Sequence, residues 1–80
     1  MISGVNELKR IALDIKSTKP SKQDFLKNEK GFRLVGFDEH TEEYRRVVFT
    51  SNGKIQLKTS LSVWFGEDGE FNGIDFRTQV

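Results

Sequence analysis

The chain of 80 residues contains no cysteine, a single histidine and a single proline. The absence of cysteine excludes a disulfide framework, a thiolate nucleophile and a cysteine-based zinc or iron–sulfur site. Because small extracellular domains usually depend on disulfides or metals, this composition favours a cytoplasmic location. The longest apolar runs are only a few residues long, so we expect no membrane-spanning segment and no membrane partner.

The chain also has almost no net charge. Its 13 Lys and Arg residues nearly balance 12 Asp and Glu residues, which leaves a formal charge of +1. This balance excludes a protein that neutralises nucleic acid through bulk positive charge. The length predicts one domain, residues 1–80, and the aromatic content of 11% favours folding over disorder.

The first third of the chain has helical periodicity. One stripe combines apolar residues at helical spacing: Val5, Leu8, Ile11, Ala12 and Ile15. Ser3 is the expected N-cap, and Pro20 is expected to end this helix. A second short helix is predicted over residues 21–30, with Ser21 as its N-cap and Gly31 as its C-cap.

From Phe32 onward the period changes to two. The pairs Asn52-Gly53 and Asp68-Gly69 are strong signals for two-residue type I′ hairpin turns. Residues 55–65 between them alternate cleanly between apolar and polar side chains. Two-residue loops would pair Val48 with Leu57 across the first hairpin, and across the second they would pair Val63 with Ile74 and Trp64 with Gly73. Both hairpins then place their apolar residues on one face.

These patterns predict an α+β fold. An N-terminal amphipathic helix, with a possible second short helix, forms a helical region at residues 4–30. It packs on one face of a four-stranded antiparallel β-meander at residues 32–78.

The opposite sheet face carries the candidate protein-binding residues, which mix apolar and basic side chains of types enriched at interfaces: Arg45, Val47, Phe49, Lys58, Trp64, Phe71 and Arg77. Two alternatives compete with this interpretation. The second helix could cover this face, and Trp64 could shield the bare backbone of Gly73. We expect a small regulator or inhibitor, such as one encoded by a mobile element, that binds a protein partner, a second copy of itself, or both.

Nucleic-acid binding is the alternative function. Aromatic rings and basic side chains on an open sheet bind single strands in some modules. A basic helical end could instead contact duplex DNA, as in winged-helix proteins. The residues for this alternative are Lys19, Lys22, Gln23, Lys27 and Lys54. Glu43 and Asp75 on the same sheet face would repel a polyanion, so protein binding ranks first.

Catalysis has little support in the sequence. His40 lies in an acidic turn at residues 38–43, and no second nitrogen or sulfur ligand accompanies it at zinc spacing. The glycines of residues 66–73 lack the lysine of a phosphate loop. We therefore expect a protein that is not an enzyme, with no cofactor, no metal and no small-molecule substrate.

Overall fold

The computed structural model describes residues 4–80, except for the side chain of Asn52. The elements are α1 (Gly4–Thr18), α2 (Lys22–Asn28), β1 (Arg33–Phe37), β2 (Thr41–Asn52), β3 (Ile55–Gly66) and β4 (Phe71–Gln79). The strands form one antiparallel sheet in the order β1-β2-β3-β4, so the predicted α+β meander is confirmed. The predicted N-cap, Ser3, lies outside the described residues.

Helix α1 ends just before the proline, as predicted. Lys19 adopts a left-handed conformation with φ of 46°, and its N–H donates to the carbonyl of Ile15 at 2.8 Å. This is a common way to close a helix, and Pro20 cannot continue it. Among residues 4–80, no helix has both the length and the apolar composition that a bilayer crossing requires.

Helix α2 is shorter than the prediction. Ser21 is its N-cap, as expected, because its Oγ accepts a hydrogen bond from the Asp24 N–H at 3.2 Å. The helix ends at Asn28, and Glu29 is already extended, with φ of −108° and ψ of 140°. The predicted C-cap at Gly31 is therefore wrong. Gly31, with φ of +83°, instead turns the chain towards β1.

The first hairpin turns at Gly53-Lys54 and not at Asn52-Gly53. Val48 consequently pairs with Thr59, two residues beyond the predicted partner Leu57. Gly53 has φ of +67°, which is the positive angle that a type II′ turn needs at its first central residue. Because the shift is even, every side chain keeps its predicted face.

The second hairpin keeps the predicted pairing away from its loop. Val63 pairs with Ile74 as expected, but the loop has three residues, 67–69. The Gly69 N–H donates to Gly66 O at 2.9 Å, and the Gly66 N–H donates to Glu70 O at 2.8 Å. With Gly69 at φ of +80°, this is the pattern of a turn that ends in a left-handed residue. The predicted type I′ turn at Asp68-Gly69 is therefore wrong.

A β-bulge at Asn72 changes the face of Phe71. Trp64 pairs with Gly73, whereas Phe65 pairs with Phe71, so Asn72 is the additional residue. Phe71 thus lies on the same face as Phe65 and packs against the core. Its predicted place on the opposite face is wrong, because the bulge inverts the alternation there.

The core lies between the sheet and both helices. Its buried apolar side chains come from α1, α2, β2 and β3: Leu8, Ile15, Phe25, Tyr44, Leu61, Val63 and Phe65. Phe25 of α2 is only 1% exposed, and its ring centre lies 4.8 Å from that of Phe32 and 5.1 Å from that of Phe65. Both helices therefore cover the same sheet face, and α2 does not cover the other.

Arg46 adds a polar contact between α1 and the sheet. Its guanidinium lies 3.0 Å from Glu7 Oε1 of α1 and donates to the carbonyl of Lys30 at 3.4 Å. This side chain points to the helix-covered face, where its stem packs while its charge is paired.

Candidate functional site

The sheet face opposite the helices, called here the outer face, is open along three strands. Cross-strand pairing places its side chains in rows across the sheet. The rows are Glu43, Trp64 and Gly73; then Arg45, Ser62 and Asp75; then Val47, Ser60 and Arg77; and finally Phe49, Lys58 and Gln79. No helix or strand within residues 4–80 packs over these rows.

A hydrogen-bonded network holds the centre of the outer face. Glu43 Oε2 accepts from Arg45 Nη2 at 2.7 Å, from Arg45 Nε at 3.2 Å and from Ser62 Oγ at 2.8 Å. Arg45 Nε also donates to Ser62 Oγ at 3.2 Å. Ser62 is 5% exposed, so it forms the floor under the two charged groups. The network fixes the direction of the Arg45 guanidinium.

Two opposing effects act on the pKa of Glu43. Partial burial alone would raise it, but the hydrogen bonds from Ser62 and Arg45 outweigh burial and hold the pKa below its usual value. Glu43 is therefore an anion near neutral pH. Its negative charge is balanced by the guanidinium of Arg45 within the network.

A second ion pair lies on the neighbouring strand. Arg77 Nη2 is 3.0 Å from Asp75 Oδ2, and Arg77 is 60% exposed at its side chain. Lys58, Asp75 and Arg77 line one shallow depression on the outer face, with a volume of about 200 Å³. Lys58 forms no ion pair within the described residues. The end of the outer face near Lys58 is therefore basic, whereas the end near Trp64 carries Glu43 and Asp75.

The aromatic side chains of the outer face do not form a cluster. Phe49 pairs with Lys58, which lies six residues from Trp64 along β3, a separation of about 20 Å. Phe49 is 60% exposed, whereas Trp64 is half-buried. A Cβ atom on Gly73 would meet nothing within 4 Å, so the indole does not shield that backbone as the alternative expected.

Six of the seven predicted protein-binding residues lie on the outer face: Arg45, Val47, Phe49, Lys58, Trp64 and Arg77. Phe71 is the exception, for the reason given above. The sequence did not reveal that Arg45 lies opposite Ser62, because that pairing depends on the two-residue shift of the first hairpin. The contact between Arg45 and Glu43 joins alternate residues on one face of β2 and does not depend on the shift.

The residues of the nucleic-acid alternative are spread along the molecule. Lys22 is paired with Glu42, and this hydrogen bond raises the pKa of the Lys22 ammonium. Gln23 and Lys27 are exposed on α2, and Lys19 lies between the helices. Lys54 is in the β2–β3 turn, about 40 Å of extended strand away from Gly66. The backbone N–H of Lys22 donates to Gly69 O, which is at that far end of the sheet. They do not form one basic surface.

The acidic turn before β2 is organised by its own hydrogen bonds. Asp38 Oδ1 accepts from the N–H groups of His40 and Thr41, each at 2.8 Å, and these bonds lower the pKa of Asp38. The His40 ring contacts Glu67 at 3.0 Å. Within residues 4–80, no group of three potential metal ligands is assembled.

The structure also contains a surface that the sequence analysis missed. Leu13 is 66% exposed and lines an apolar groove between α1 and β4. The available signal was its position, because Leu13 is an apolar residue that lies off the helical stripe.

Comparison of the chain with protein-family models, curated proteins and solved structures finds no match.

Proposed function

We propose that this chain is a small cytoplasmic regulatory protein that binds another protein stoichiometrically through its outer face. The observation that carries the proposal is that both helices pack on one side of the sheet, while the other side remains open with ordered charged groups. Side chains held in place before binding lose less entropy when a partner docks.

The charges of the outer face favour a partner with an acidic surface. Arg33 pairs with Arg45 in the sheet register and, like Lys58, forms no ion pair within residues 4–80. Glu43 is already paired with Arg45, so it offers little free negative charge to a partner. Phe49 supplies an exposed apolar contact beside the unpaired Lys58. Aromatic and arginine side chains of this kind commonly dominate binding energy.

Nucleic acid fits the outer face less well. Successive bases need aromatic rings at closely spaced positions, and Phe49 and Trp64 stand about 20 Å apart. The carboxylates of Glu43 and Asp75 are each paired with an arginine, so the spacing of the rings, and not charge repulsion, is what disfavours nucleic acid. The test must therefore distinguish a single-stranded nucleic acid from a protein partner.

The test is photo-cross-linking in extract of the native cells. A photoreactive amino acid replaces Phe49 on the outer face or, as a positional control, Lys27 on the exposed side of α2. We expect a discrete protein adduct from position 49 and not from position 27. Lys58→Glu with Arg77→Glu should reduce that adduct about tenfold, whereas the same charge change at Lys27 and Lys54 should not.

Three results would overturn the proposal. The first is the absence of any adduct from position 49. The second is an identical adduct pattern from both positions, or one that is insensitive to the charge reversal. The third is an adduct that nuclease removes, which would support the nucleic-acid alternative instead.

A further inference from the structure

The groove between α1 and β4 combines an apolar floor with a basic rim. Its volume is about 340 Å³, and it is lined by Lys9, Ala12, Leu13, Lys16, Ile74 and Phe76. Leu13 is 66% exposed. Lys9 and Lys16 stand two helical turns apart, about 10.5 Å along α1, on either side of the small residue Ala12 and of Leu13.

The groove lies beside an open sheet edge. Strand β4 (Phe71–Gln79) is the last strand of the sheet, and within residues 4–80 no strand pairs with its far side. Alternate backbone N–H and C=O groups on that side are therefore available to another strand. Beyond the bulge at Asn72, β4 pairs with β3 without interruption, so this edge is regular.

We infer that the β4 edge and the α1–β4 groove together bind an extended acidic peptide segment of a partner protein by strand addition. The peptide pairs with β4 as a fifth strand, and one inward apolar side chain enters the groove beside Ile74, Phe76 and Leu13. Main-chain hydrogen bonds provide affinity in this mode, and the groove provides specificity.

The spacing of the two lysines specifies the peptide pattern. Inward-facing residues of a strand recur at every second position, so the two neighbours of the apolar residue on that face lie about 13 Å apart. Lys9 and Lys16 can reach both of these neighbours from α1. The preferred segment therefore carries acidic residues two positions before and two positions after the apolar one.

The same two lysines argue against a second copy of this chain as the occupant. In a two-fold pairing of β4 with β4, centred on the groove, Lys9 of one copy would lie opposite Lys16 of the other. This repulsion would occur twice in each dimer, and like charges placed opposite each other destabilise such pairing. An acidic segment meets both lysines favourably.

The experiment starts from a phage-displayed library of random peptides selected against the full chain. We expect the enriched peptides to share the acidic–apolar–acidic pattern at alternate positions. An enriched peptide, labelled for fluorescence anisotropy, should bind the Lys9→Glu/Lys16→Glu protein about tenfold more weakly. The Lys27→Glu/Lys54→Glu protein has the same charge change away from the groove and should bind normally. Peptide-induced amide shifts should concentrate on β4.

Several results would overturn the inference. No enrichment, enrichment without the pattern, or binding that is indifferent to the groove lysines would each do so. A dimeric molar mass by light scattering that Leu13→Glu returns to monomer would show that a second copy occupies the groove. The outer-face variants Lys58→Glu and Arg77→Glu leave the groove unchanged, so this inference and the proposed function can fail separately.

Discussion

The position of α2 depends on one aromatic side chain, and Phe25→Ala tests that dependence. Phe25 is 1% exposed, and its ring centre lies within 6 Å of those of Phe32, Tyr44 and Phe65. Removing a fully buried phenylalanine ring costs about 3–5 kcal/mol. A domain of 80 residues has a total stability of about 4–12 kcal/mol. The seven residues of α2 are too few to remain helical without this packing.

Urea unfolding followed by far-UV circular dichroism and Trp64 fluorescence measures the effect. With a denaturant slope of about 1–1.5 kcal/mol/M, the midpoint should fall by about 2 M or more. Leu26→Ala is the matched control, because Leu26 is the next residue of α2 and is 43% exposed. It should cost less than about 1 kcal/mol. A similarly small loss of stability for Phe25→Ala would contradict the packing of α2 against the helix-covered face. The conclusion that α2 leaves the outer face open would then fail.

Two further predictions concern charged side chains. The hydrogen bonds from Ser62 and Arg45 make the pKa of Glu43 lower in the folded protein than in the unfolded chain. The ionised carboxylate therefore stabilises the fold at pH values above the Glu43 pKa of the unfolded chain. This stabilisation is lost as the pH falls through the Glu43 pKa of the folded protein. Glu43→Gln should therefore lower the free energy of unfolding by about 1–2 kcal/mol at pH 6. In urea unfolding, the difference in stability between this variant and the wild type should shrink towards pH 3. A difference that stays constant with pH would contradict the network. Arg46→Ala should lower the free energy of unfolding by about 1–2 kcal/mol, because it removes the contacts with Glu7 and Lys30. Arg77 is more exposed, so Arg77→Ala should lower it by less than about 0.5 kcal/mol, as most surface changes do. Equal shifts of the two variants in thermal unfolding would contradict this ranking.

The faces of β3 could be predicted from its sequence, whereas its register with β2 could not. The alternation from Ile55 to Phe65 determines which side chains face the helices. The choice between a turn at Asn52-Gly53 and one at Gly53-Lys54 changes the register by two and moves no apolar side chain to the wrong face. Burial therefore does not discriminate between the two turns. The partners across the outer face depend on this choice: a turn at Asn52-Gly53 would pair Arg45 with Ser60, whereas the turn at Gly53-Lys54 pairs it with Ser62.

The bulge at Asn72 shows a different limit of sequence analysis. A single additional residue inverts the alternation at Phe71, and this places a large apolar ring against the core instead of the outer face. A strict period of two cannot represent that inversion. The loop before it has three residues, and the sequence Asp68-Gly69 is compatible with a two-residue loop as well. Local preference alone did not decide between them.

Strand β4 connects the two proposed binding surfaces. Its side chains alternate, so Ile74 and Phe76 face the groove while Asp75 and Arg77 stand on the outer face. A peptide strand added at the β4 edge would bring its own outward side chains beside Asp75 and Arg77, and the outer face would become one strand wider. A partner that supplies both an acidic surface and an extended acidic segment would therefore meet one continuous surface. Such a partner would gain from both contacts, because docking one places the other within reach.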